Sequence, residues 1–150
     1  MSSIRKAKKE RKKKEERACA FNEALDALKT LRLGFSGYCG VEESVFTVKD
    51  DMVLRDYLPS FLKNPKLACE KEPFCKKEVF LKGLRALNLQ EWKKRYENRL
   101  ILDGMRWELE LTFGNGDAPV KISGYNAYPE QFDALLELTG MEEKDEQDQD

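Results

Sequence analysis

No histidine occurs anywhere in these 150 residues. Its absence removes the commonest general base, every Ser-His or Cys-His pair and the commonest metal ligand. Long apolar runs are missing too, since nothing approaches the roughly 20 apolar residues that a membrane-spanning helix requires. A basic N-terminus without a following apolar segment does not read as a signal peptide, so a cytoplasmic location is expected. Neither a Gly-x-Ser-x-Gly elbow nor a Walker loop is present. Cys19, Cys39, Cys69 and Cys75 lack the paired C-x₂₋₄-C spacing of structural zinc. They are read as reduced thiols, Cys19 buried on a helix and the other three in loops. No metal and no cofactor is expected, and an enzyme is the function class that fits least.

Charge, by contrast, is abundant, at 37% of residues, and the formal net charge of −1 conceals its distribution. Residues 1–17 hold nine Lys and Arg against three Glu, whereas 141–150 hold six acids against Lys144. Between them, seventeen cations meet nineteen acids. The organisation expected is a basic helical extension over 1–17, one α+β domain over 18–140 and a disordered acidic tail over 141–150.

Taken in order, residues 3–17 suit a helix with no face to bury, because Ala7 is the only apolar residue inside the basic run from Arg5 to Arg17. From Ala18 an amphipathic pattern begins, with Phe21, Ala24, Leu25 and Leu28 at i, i+3, i+4 and i+7. Leu31, Leu33 and Phe35 then alternate with Arg32, Gly34 and Ser36, as in a strand that ends in a loop over Gly37-Tyr38-Cys39-Gly40. Gly34-Phe35-Ser36-Gly37 has the spacing of a nucleic-acid-clamping loop. It falls within this strand rather than between two helices, and is read as a strand end with close backbone approach. Val45–Val48 and Met52–Leu54 suggest a hairpin across Asp50-Asp51. A helix from Met52 to Leu62 competes with that reading, with Pro59 against it.

Asn64-Pro65 and Glu72-Pro73 bracket an irregular connection. Val79, Phe80, Leu84 and Leu87 mark a helix from about Lys76. Asn88 and Glu91 resemble a capping box opening a short helix that turns Leu89, Trp92 and Tyr96 inward.

The best-patterned stretch follows. Trp107, Leu109, Leu111 and Phe113 alternate with Arg106, Glu108, Glu110 and Thr112, placing one apolar and one solvated face on a strand. Gly114-Asn115-Gly116-Asp117 supplies a hairpin loop, and Val120 and Ile122 resume the alternation on a return strand. Gly124-Tyr125-Asn126-Ala127-Tyr128-Pro129 forms a corner, with Pro129 suited to the first turn of a helix carrying Phe132, Leu135 and Leu136. Tyr125, Asn126 and Tyr128 are read either as corner packing or as the rim of a pocket. The fold expected is therefore α+β, an antiparallel sheet of four or five strands packed by helices on one face.

Leu102-Asp103-Gly104, Trp107, the hairpin and the Gly124–Pro129 corner resemble a set of small bacterial proteins. Those read Asp-Gly-x-x-Trp, a hairpin, then Gly-x-Asn-x-Tyr-Pro before a last helix, and Trp92 and Tyr96 also suit the pattern. The resemblance covers roughly the last two-fifths of the chain. It implies an α+β fold and brings no activity and no catalytic residues.

Among functional readings the basic head ranks first. Arg5, Lys6, Lys8, Lys9, Arg11, Lys12, Lys13, Lys14 and Arg17 are the candidate binding residues for nucleic acid or a nucleoprotein, since phosphate contacts give salt-dependent, largely sequence-independent affinity. Their bland alternative is a solubilising extension. A second functional class is an inhibitor of a host nuclease, of the anti-CRISPR kind encoded by mobile elements, which blocks or mimics nucleic acid. Neither class requires a membrane.

Overall fold

A computed structural model describes residues 2–37, 40–98, 100 and 104–141. The elements run α1 (Ser2–Leu25), β1 (Leu28–Gly37), β2 (Gly40–Lys49), β3 (Met52–Leu58), β4 (Cys69–Lys76), α2 (Lys77–Ala86), β5 (Arg95–Glu97), β6 (Arg106–Phe113), β7 (Val120–Tyr125) and α3 (Phe132–Leu138). Single 3₁₀ turns lie at Pro65–Leu67 and Leu89–Glu91.

The architecture is α+β, but the sheet has seven strands, in the order β4-β3-β2-β1-β6-β7-β5, where four or five were expected. All neighbours are antiparallel except β5, which joins β7 in parallel. Two of the extra strands occupy the edges. β4 carries Pro73, which an edge strand tolerates because no further neighbour needs its missing N–H. β5 forms where a short helix had been read through Trp92 and Tyr96. Asn88 does not cap that segment with its side chain; it adopts a left-handed conformation with φ 52°, as Asn does more readily than most residues.

Alternation separates the two faces. On the inner face Leu31, Leu33, Phe46, Val53, Trp107, Leu109, Leu111 and Ile122 are buried against Phe80 and Leu84 of α2 and Phe132 and Leu135 of α3. Phe113 is only partly buried, and Val79 faces solvent. The hairpin reading of β2 and β3 holds: Lys49 pairs with Met52, and Asp50 takes the positive φ of 56° that the tight turn demands. Cys19 is exposed, whereas Cys69 and Cys75 are half-buried on β4, so the expected burial is reversed. Cys39 lies outside the described residues. No described helix is long and apolar enough to cross a membrane.

The β6–β7 end is interlocked by small residues. Trp107 is fully buried and donates its indole N–H to the carbonyl of Ala127 at 2.9 Å. A Cβ on Gly124 would collide with that indole, and a Cβ on Gly104 would collide with the Asn126 side chain. Asn126, at φ 54°, donates its N–H to the Met105 carbonyl and accepts the Met105 N–H on Oδ1 at 2.9 Å. Around Trp107 stand Phe132 at 4.7 Å, Tyr96 at 6.0 Å and Tyr128, nearly parallel, at 6.4 Å. Pro129 precedes α3 by a turn rather than starting it, its carbonyl accepting the Phe132 N–H.

Trp107→Ala should therefore cost about 3–5 kcal/mol through lost transfer energy and the cavity left behind. Gly124→Ala should cost about 1–3 kcal/mol by overpacking the same contact. Chemical denaturation of both variants checks this, and wild-type midpoints would show that the indole is not held as described.

Candidate functional site

Three features present chemistry to solvent: the basic half of α1, the outer face of the sheet, and a cleft beside the Tyr128 corner.

In α1 every residue from Ser3 to Arg17 is exposed, and burial begins only with Ala18, Phe21 and Leu25. Those first turns extend for about 22 Å at 1.5 Å per residue. At 100° per residue Arg5, Lys8, Lys9, Lys12 and Lys13 fall within an arc of roughly 140°, centred nearly opposite Leu25. The docked end of the helix thus fixes which cations face away from the body. Lys6, Arg11 and Lys14 flank that arc at its sides and rear. Arg17 differs from the other eight, because its guanidinium donates Nε and Nη2 to the two carboxylate oxygens of Glu91 at 2.8 and 2.7 Å. This fork matches the carboxylate geometry and ties α1 to the 3₁₀ turn before β5. The hydrogen bond from Arg17 holds the Glu91 carboxyl below its ordinary value, and the same bond raises Arg17.

Over β1 and β6 the outer face of the sheet is polar and largely self-compensated. Arg32 of β1 lies at its centre, 2.9 Å from Glu108 and 3.8 Å from both Glu110 and Glu43. Cross-strand register explains the meeting: Arg32 pairs with Glu110 on β6, and its neighbour Gly34 pairs with Glu108 and with Glu43 of β2. The Glu108 hydrogen bond raises the Arg32 guanidinium. Glu108 and Glu110, read from sequence as a solvated face, are thus an ion-pair cluster around one arginine.

The corner residues part company. Tyr125 ends β7 on the outer side, its ring under the Arg106 guanidinium at 5.7 Å. Asn126 is the clasp described above. Tyr128 turns to the helical side, 47% exposed, and borders a cleft of about 560 Å³ with Phe35, Phe132, Met105, Leu136 and Met141. Glu42 and Lys63 also line it, and the Glu42 carboxylate accepts both the Tyr57 hydroxyl and the Lys63 ammonium at 2.8 Å. Burial and then the Glu42 bond raise the Tyr57 hydroxyl. Lys63 is also raised, because its bond to Glu42 and the charge behind it outweigh burial.

Sequence reasoning offered Tyr128 as a pocket rim but missed the rest of this lining. Phe35 and Glu42 sit on adjacent strands in register with each other, and Lys63 comes from the β3–β4 connection. No local spacing links these positions to Tyr128, so only the pairing of β1 with β2 could have revealed them. Among the described residues no group of His, Cys, Asp and Glu is arranged to hold a metal ion. The acidic run over 142–150, Tyr38 and Asp103 lie outside the described residues.

The Arg17–Glu91 clasp has a sign in pH. Because the folded Glu91 carboxyl lies below its ordinary value, its contribution is present above the free carboxylate range and lost as pH falls through the folded value. Order parameters from ¹⁵N relaxation over residues 3–17 should therefore decline below about pH 4. They should already be low at neutral pH in Glu91→Gln, and unchanged order in that variant would mean the clasp does not orient α1. Comparisons of the chain with protein-family models, with curated proteins and with solved structures found no match.

Proposed function

We propose that this protein is a non-catalytic binding protein whose basic N-terminal helix engages nucleic acid, free or within a nucleoprotein. The supporting observation is the arc of Arg5, Lys8, Lys9, Lys12 and Lys13 on a helix exposed from Ser3 to Arg17 and oriented by its docked end. A helix of this length with no apolar stripe has nothing to bury against a protein core, so its partner must be polar and of opposite charge. Phosphate backbones meet that description, and a helix about 10–12 Å across enters a major groove about 12 Å wide.

The composition of the arc also argues the kind of recognition. Four of its five residues are Lys, compact point charges that suit phosphate oxygens. Neither Asn nor Gln occurs between Ser3 and Arg17, so the planar side chains that read adenine edges are missing. Affinity should rest on phosphate contacts and depend little on sequence.

Five neutralised phosphates give a slope of log affinity against log salt of about −4.5, a loss of roughly 500-fold between 50 and 200 mM for duplex DNA. Fluorescence anisotropy with duplexes of unrelated sequence should show that slope and similar affinities. Reversing Lys8, Lys9, Lys12 and Lys13 to Glu should abolish binding while the melting of the sheet is unchanged. Binding that survives the reversal, or is flat in salt, would overturn the reading. Preference for one sequence would place base contacts elsewhere on the molecule.

A further inference from the structure

We infer that the cleft beside Tyr128 is a binding site for an organic cation, an ammonium group carried on an apolar body. Its volume of about 560 Å³ lies within the range of small-molecule sites. Three rings form one side of it at steep mutual angles. Phe35 meets Phe132 edge-on at 83° and 6.2 Å, and Tyr128 meets Phe132 at 49° and 4.9 Å. Inclined rings around one space present their negative faces from several directions, the arrangement that attracts alkylated ammonium groups. Buried Trp107 backs both Tyr128 and Phe132 and holds the wall in place.

Charge selects the same class. Glu42, Glu130 and Asp133 line the cleft against a single cation, Lys63. Lys63 is already bound to Glu42, which leaves Glu130 and Asp133 uncompensated at the rim, neither forming a salt bridge among the described residues. An anionic ligand would meet that surplus directly. A metal ion is equally unsuited, because among the described residues the acidic side chains of the lining do not converge as a ligand set. A weakly hydrated ammonium loses little on leaving water and gains both the rings and the rim. The surplus is opposite in sign to the α1 stripe, so the two sites take different ligands.

Titration of the ¹³C-methyl-methionine protein with benzyltrimethylammonium, benzyl alcohol and benzylsulfonate tests this directly. Met105 and Met141 line the cleft and report occupancy, while Met52 on β3, outside it, is the internal control. Both cleft methyls should shift saturably with the ammonium, at about tenfold higher affinity than with the alcohol, and should not respond to the sulfonate. Glu130→Gln combined with Asp133→Asn changes only exposed groups. It should weaken the ammonium about threefold and leave the alcohol unaffected. Equal affinity for ammonium and alcohol, a response to the sulfonate, or silent Met105 and Met141 at millimolar probe would overturn the inference.

Discussion

The contact on which most of this structure depends is the seat of Trp107 over Gly124. An indole can lie flat on a neighbouring strand only where that strand carries no side chain, and its N–H must find an acceptor once buried. Gly124 provides the first condition and the Ala127 carbonyl the second. Since Ala127 lies beyond the end of β7, the bond also turns the chain back across the sheet, and α3 begins where that turn delivers it. Tyr96 of β5 and Phe132 of α3 then pack against the same ring system. One side chain thus sets the β6–β7 pairing, the position of the last helix and one wall of the cleft.

Charge is handled differently on each surface. The outer face gathers its carboxylates around Arg32, where cross-strand register rather than sequence proximity brings them together. Like-charged side chains that close would repel without the guanidinium between them. Among the described residues α1 has no such compensation beyond Glu10, Glu15 and Glu16. Of the nine cations only Arg17, the last, is tied to a partner among the described residues of the body, Glu91. Among the described residues, unpaired charge of one sign thus lines a projecting helix and of the other sign a cleft rim.

What could be read from the sequence follows from how locally each feature is encoded. The alternation from Trp107 to Phe113, the glycine-rich loop after it and the apolar face of Phe132 and Leu135 are all nearest-neighbour patterns, and they describe the final elements well. β4 and β5 were illegible because edge strands take their structure from the neighbour they pair with. Cys69–Lys76 contains a proline and four charged residues, and Arg95–Glu97 has only three residues, too few for a period to register. Cys19 misled for a related reason. It falls two residues before Phe21 on a helix that docks by one narrow stripe, so chemistry favoured burial while geometry placed it outside. Of the residues that carry the resemblance noted above, Gly104 meets Asn126, and Trp107 meets Gly124 and Tyr128. That gives each a packing reason without assigning any of them a reaction.

The design of α1 carries a thermodynamic consequence. Its first turn contains no acid to meet the positive end of the helix dipole, and Arg5–Lys9, Lys8–Lys12 and Lys9–Lys13 place like charges one turn apart. The isolated helix therefore works against its own electrostatics, and small ions relieve that tension only partly. A polyanion laid along the stripe would neutralise the repelling pairs, and its phosphates near the first turn would complement the dipole. Were such a polyanion bound, helix order and its occupancy would be linked through the same counterion activity, since the repelling pairs weigh most on the free segment in dilute salt.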